Sequence, residues 1–230
     1  TPRYALSMET LAAARGTSLG KYQKGIGQRQ LSVAPPNEDI ITMAANSAYQ
    51  LLTPHDLDDI DMLLFATESA LDHSKAAGIS VHHLLGLKPR CRVVELKQAC
   101  YSATASLQLA CDHVRLHPDK KVLIIASDIA RYGLGHPAEP SQGAGSIAML
   151  VSAKPSLLTL SHFFGAHTEN HMDFWRPAYL NEALVEGKQS CELYHRFLRT
   201  TWDQYQLDSG LAYSDHTAIC YHAPIPRLVE

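Results

Sequence analysis

What this sequence lacks sets the first limits. It has no apolar run near the roughly 18–20 residues that a membrane-crossing helix requires, and no basic segment followed by an apolar stretch at its start. Its five cysteines (Cys91, Cys100, Cys111, Cys191 and Cys220) are odd in number and show no CxxC spacing, so neither a disulfide framework nor a zinc site is expected. Positive charge is not in excess: the formal net charge is -3, which argues against nucleic acid or an anionic membrane as the main partner. Gly25 and Gly27 come without a third glycine and without a preceding apolar strand, a poor match to the dinucleotide-binding fingerprint. Repeats and low-complexity segments are also missing. A cytoplasmic, reduced protein is the simplest reading.

What remains is a globular composition, 46% hydrophobic over 230 residues, with room for a substantial core. Apolar runs alternate with helical patterns. Strands are expected at 61–67, 91–96, 121–128, 147–151, 157–160 and 215–221. Helices are expected at 8–14, 38–52, from a Ser74 cap to Leu85 with Gly86 as its stop, from 103 to 114, and at 190–205. Such alternation indicates an α/β fold whose sheet is covered on both faces, with right-handed crossovers. In these sheets the strand C-termini converge on one crevice, which gathers Glu68, Asp128 and the turn around Cys100.

Cys100 falls where a strand gives way to a helix. Unpaired N–H groups and the positive end of the helix dipole there favour a thiolate, the nucleophilic form of cysteine. The plain alternative is a small buried thiol in a core. Glu68 ends an apolar strand, and a carboxylate in an apolar crevice is suited to moving protons near neutral pH; otherwise it is a solvated loop acid. His222, after the final expected strand, is a candidate base or acid partner for Cys100, although a Cys and a His so far apart in sequence are by themselves a weak signal. His82 and His83 read as surface and packing residues. His167 and His171 have i, i+4 spacing, but Gly165 and Asn170 argue against a helix and so against a metal site. Phe174 and Trp175 read as core.

Five segments carry a resemblance. They are Phe65-Ala66-Thr67-Glu68-Ser69, Glu95-Leu96-Lys97-Gln98-Ala99-Cys100-Tyr101, Ser127-Asp128-Ile129-Ala130-Arg131-Tyr132, Glu139-Pro140-Ser141-Gln142-Gly143-Ala144-Gly145 and Asp173-Phe174-Trp175-Arg176-Pro177. In this order they resemble the 3-hydroxy-3-methylglutaryl-CoA synthase family, in its bacterial mevalonate-pathway form. The resemblance implies a thiolase-like αβαβα layered fold, with residues 1–155 as the N-terminal half and 156–230 as the incomplete beginning of the second. It implies a homodimer that acts on the CoA thioesters acetyl-CoA and acetoacetyl-CoA and needs no metal or separate cofactor. Cys100 matches the acetylated nucleophile, Glu68 the general base, and His222 the histidine that positions acetoacetyl-CoA and protonates the new alkoxide. Ser141 and Ser190 match substrate-contacting hydroxyls.

The sequence also departs from that family. After His222 it reads Ala223-Pro224-Ile225-Pro226-Arg227-Leu228, where the family continues with a Pro-aromatic-Thr-Lys type of segment. Neither end reads as a natural boundary, so a piece of something longer is expected, inactive and poorly soluble by itself because one sheet face would lie uncovered. Four other readings stay open. These are a synthase that acts on carrier-protein-bound acetoacetyl groups in polyketide branching, a decarboxylating ketoacyl synthase, a non-catalytic scaffold, and a papain-like thiol protease.

Overall fold

The computed structural model describes residues 1–229. Its elements alternate as the sequence pattern implies. In chain order they are β1 (Tyr4–Ser7), α1 (Met8–Arg15), β2 (Gln30–Val33), α2 (Ile40–Leu51), β3 (Ile60–Ala66), α3 (Ala77–Leu85), β4 (Arg92–Leu96), α4 (Ser102–Leu116), β5 (Lys121–Ile129), β6 (Ala144–Ser152), β7 (Phe174–Trp175), β8 (Leu184–Val185) and α5 (Gly187–Ser209). The chain forms two compact units. One comprises Thr1–Ala5, Ser32–Ala130 and Gly143–Thr159; the other comprises Leu6–Leu31, Arg131–Gln142 and the residues from Leu160 onward.

The first unit is built on a four-stranded sheet in the order β4-β3-β5-β6. β3 runs parallel to β4 and β5, and β6 is antiparallel to β5. Alternate residues of the apolar strands serve opposite faces. Leu63, Phe65, Leu123 and Ile125 pack with Ile40, Met43, Ala44, Val81 and Leu85 of α2 and α3. Leu64, Val122 and Ile124 pack with Ala110 and Val114 of α4. Burying each such side chain stabilises the fold by roughly 1.5–3 kcal/mol. Two-sided burial is why these strands read as continuous apolar runs rather than alternating ones.

Helix ends follow local chemistry. Asp39 closes a capping box on α2, its Oδ1 accepting from the Ile41 and Thr42 amides while Thr42 Oγ1 accepts from the Asp39 amide. Gly86 stops α3 in the left-handed conformation, as expected. Ser74, however, is not the cap of α3. It sits in a turn held by Asp72 Oδ1, which takes the Ser74 and Lys75 amides and delays the helix to Ala77.

In the second unit Met8, Leu11, Ala12, Tyr22 and Leu31 form a small core. The 23-residue α5 is longer than the sequence pattern implied and ends at Gly210, again left-handed. Two expected strands are not found. Residues 157–160 are irregular, and 216–221 follow a short 3-10 turn (Tyr213–Asp215) without forming a strand. A strand needs a ladder partner, and among the described residues none pairs with either segment.

Candidate active site

The C-terminal ends of β3, β4 and β5 bring Glu68, Cys100 and Asp128 into one electrostatic neighbourhood of the first unit. Ala66 pairs with both Leu96 and Ala126, so the residues just beyond each strand emerge at the same edge. Thr67 continues the register for one further step, its amide donating to Leu96 O at 3.2 Å. Asp128 lies two residues past Ala126 and reaches across to the turn after β3. Its Oδ1 accepts from Thr67 Oγ1 (2.7 Å), the Glu68 amide (2.8 Å), the Ser69 amide (3.0 Å) and Ser69 Oγ (2.8 Å). Asp128 therefore acts on Glu68 through the backbone.

Cys100 stands one residue before Tyr101, the N-cap of α4. The turn that places it is tight. Ala99 has φ +42, the left-handed region that L side chains adopt at a cost of roughly 1–2 kcal/mol. Ser102, buried, ties the turn together: its Oγ accepts from the Gln98 amide at 2.8 Å and donates to Ala99 O at 2.9 Å. The Tyr101 and Ser102 amides already donate to Gln98 O and Ala99 O.

That arrangement corrects the expectation of a thiolate-favouring site. Although Cys100 as a residue is solvent-exposed, the protein packed around its thiol raises its pKa above that of an ordinary thiol, and the charges of Glu68 and Asp128 raise it further. The backbone amide of Cys100 itself acts against the rise, while the Tyr101 and Ser102 amides are engaged within the turn and Cys100 lies outside the helix proper. Cys91, buried at the opposite end of β4, has its pKa pushed up to about 11, first by burial.

The other candidates belong to the second unit. Ser141 closes a 3-10 turn (Glu139–Ser141), and its Oγ donates to Ala138 O at 2.8 Å. The turn is anchored by the buried Glu139, which receives Arg15 Nη2 at 2.6 Å, Arg15 Nε at 2.8 Å and the Gly135 amide at 2.9 Å. Ser190, in the first turn of α5, donates to Asp173 Oδ2 at 2.6 Å. His222 follows irregular chain rather than a strand, and Tyr194 Oη on α5 donates to its carbonyl at 2.8 Å. Although His222 is solvent-exposed, the protein around its ring lowers the imidazole pKa, favouring the neutral form.

His82, His167 and His171 have local partners. His82 Nε2 lies 3.0 Å from Lys88 O. His167 and His171 each bond Glu169, which also takes both terminal nitrogens of Arg196, and the segment is not helical. Among the described residues no group of three or more His, Cys, Asp or Glu side chains is placed to hold a metal ion. No described helix is long and apolar enough to cross a membrane. Sequence reasoning missed the backbone role of Asp128 and the anchoring of Ser190 by Asp173. The hydroxyls of Thr67 and Ser69 on either side of Glu68 were the available sign of the first.

Comparison with known proteins adds an independent line. Residues 2–156 match the family model described as "Hydroxymethylglutaryl-coenzyme A synthase N terminal". The chain is 45% identical over 227 residues to the hydroxymethylglutaryl-CoA synthase of Enterococcus faecalis, covering 99% of this chain and 59% of that one. It is 31% identical over 246 residues to the polyketide biosynthesis 3-hydroxy-3-methylglutaryl-ACP synthase of Bacillus subtilis, covering 98% of this chain and 57% of the relative. A crystal structure of an HMG-CoA synthase complexed with CoA superposes with TM-score 0.96 at 48% identity, covering 99% of this chain and 58% of that chain. The chain thus spans about three fifths of the length of the relatives it matches, and its α/β fold is thiolase-like. With strand order, site turn and whole-chain similarity in agreement, the chain belongs to the hydroxymethylglutaryl-CoA synthase family.

Proposed function

We propose that this protein is a condensing acyltransferase of the mevalonate route, an HMG-CoA synthase. It joins acetyl-CoA, acetoacetyl-CoA and water into (S)-3-hydroxy-3-methylglutaryl-CoA and CoA. Cys100 Sγ attacks the acetyl thioester, CoA leaves with the thiol's proton, and acetyl-Cys100 forms. Glu68 takes a proton from the acetyl methyl group. The resulting carbanion attacks the ketone carbon of acetoacetyl-CoA, and His222 protonates the alkoxide. Water then cleaves the Cys100 thioester. Acylation divides one hard condensation into easier steps. The carboxylate charges that oppose a Cys100 thiolate have no such effect on the neutral thioester, so acetylation relieves that conflict. A hydroxyl whose hydrogen is already committed, as in Ser141 and Ser190, presents its oxygen lone pairs to substrate.

The observation that carries this reading is the register that ends β3, β4 and β5 at one edge of the sheet, where Asp128 bonds the Glu68 amide and the β4 strand leads into the Cys100 turn. Residues 1–155 are the N-terminal thiolase-like half and 156–230 begin the second, a division supported by the N-terminal family match to residues 2–156. The working form is a cytoplasmic homodimer that uses CoA thioesters and no metal or separate cofactor. The greater identity to the CoA enzyme than to the polyketide relative, 45% against 31%, favours free acetoacetyl-CoA as the acceptor. The test is turnover by the intact protein with acetyl-CoA and free acetoacetyl-CoA. HMG-CoA formation is expected. Condensation only with a carrier-protein-bound acceptor would move the function to polyketide branching.

A further inference from the structure

Within the proposed reaction, the geometry points to Glu95 as a positioning residue. It fixes the α3 end of the loop that carries Glu68 and ties that loop to the strand that feeds Cys100. The loop runs from Thr67 to Ala76, between β3 and α3. Its middle, Leu71 to Lys75, is exposed, while Thr67 and Ala77 at its margins are buried. An exposed segment of this kind, with few packing contacts of its own, opens easily unless its ends are anchored. The β3 end is fixed by Asp128, which bonds the Glu68 and Ser69 amides.

The other end has no cap of its own. Ala76, the N-cap of α3, offers no side-chain acceptor. The acceptor comes instead from 18 positions along the chain: Glu95 Oε2 on β4 takes the Ala77 amide at 2.7 Å. A second observation shows that this contact is built into the packing. A Cβ at Gly78 would lie 2.9 Å from Val93 Cγ1 and 3.0 Å from Phe65 Cβ, so glycine alone lets the first turn of α3 settle this closely on β3 and β4. That approach brings the Ala77 amide within reach of Glu95. Burial raises the Glu95 pKa, with the charges of Asp128 and Asp72 adding to it, while the Ala77 amide and Lys97 act against the rise. The carboxylate is thus kept in the acidic neighbourhood of the site by the helix start it caps. The strand that bears Glu95 leads within five residues to Cys100, so one side chain couples the thiol's strand to the base's loop.

The test compares Glu95→Ala with Glu95→Gln in the intact protein by amide hydrogen exchange and by rapid-quench kinetics. Loss of the cap is expected to speed exchange at Ala77 about tenfold, with Ile124 in the sheet core unchanged. Glu95→Gln keeps an acceptor oxygen and is expected to restore slow exchange. In the alanine variant acetyl transfer to Cys100 is expected to persist, while condensation falls by as much as ~10²-fold and recovers in the glutamine variant. Unchanged exchange at Ala77 in Glu95→Ala would overturn the proposal, as would faster exchange with condensation intact. Should the wild-type protein carry out no condensation, the function proposed above fails, and the exchange measurement still decides whether Glu95 holds the loop.

Discussion

Asp128 holds Glu68 by its backbone, not its carboxylate: the Glu68 amide donates to Asp128 Oδ1 at 2.8 Å, and three more donors from Thr67 and Ser69 share that oxygen. One acid is thereby used to place another, and both charges bear on the Cys100 thiol. Removing either charge lowers the thiol pKa. Glu68→Gln and Asp128→Asn are each expected to shift the pH profile of Cys100 alkylation to lower pH, followed by mass spectrometry of the Cys100 peptide. A profile that stays in place or moves upward would contradict the charge assignment.

The Asp56–Lys121 pair gives an acid-stability prediction. Lys121 Nζ lies 2.9 Å from Asp56 Oδ1, and the Thr53 amide and hydroxyl both donate to Oδ2. The Lys121 hydrogen bond, then the Thr53 amide, lowers the Asp56 pKa to about 2. A depressed carboxylate stabilises the fold above its unfolded pKa, ~3.9, and loses that contribution as pH falls toward its folded value. Asp56→Asn is expected to cost about 1–2 kcal/mol at pH 7 and much less at pH 2.5. Urea unfolding at both pH values checks this.

Arg15 and Glu139 form the most enclosed ion pair of the second unit's site region, with side-chain exposures of 33% and 5%. The Arg15 hydrogen bond holds the Glu139 pKa below the ordinary carboxylate range. Glu139→Ala leaves the Gly135 amide and a guanidinium without their acceptor, and is expected to destabilise by about 2–3 kcal/mol. The loop bearing Ser141 should then become protease-sensitive before the rest of the chain. Limited proteolysis that cuts elsewhere first would contradict this.

Ala99 tests whether the turn before Cys100 stores strain. At φ +42 a glycine removes the Cβ penalty but gains freedom in the unfolded chain, so Ala99→Gly should leave stability within about 0.5 kcal/mol. A β-branched residue fits that region worst, and Ala99→Val should cost a further ~1–3 kcal/mol. Thermal unfolding of the pair decides it. Equal stability of the valine variant would mean that the turn relaxes freely.

The sheet of the first unit was legible because burial on both faces leaves an unmistakable mark: the apolar runs at β3 and β5 have few other uses. Gly86 as a helix stop and Cys100 at a strand-to-helix turn were legible for equally local reasons. The hold of Asp128 on Glu68 was not, since it depends on Ala66 facing Ala126 across a register that no local pattern encodes. The upward direction of the Cys100 shift was not legible, because it comes first from packing around the thiol and then from the Glu68 and Asp128 charges, which tertiary structure assembles. In the fold, the Tyr101 and Ser102 amides are spent on Gln98 and Ala99. Segments 157–160 and 215–221 carry strand-like residues, but composition cannot supply a partner for the ladder.

Acid-quenched incubation with labelled acetyl-CoA, followed by peptide mapping, tests the central claim most directly. Label is expected on Cys100 in the wild-type protein and in Glu68→Gln, with HMG-CoA formed from acetoacetyl-CoA only by the former. Label on Cys91, Cys111, Cys191 or Cys220 instead, or no label at all, would contradict it.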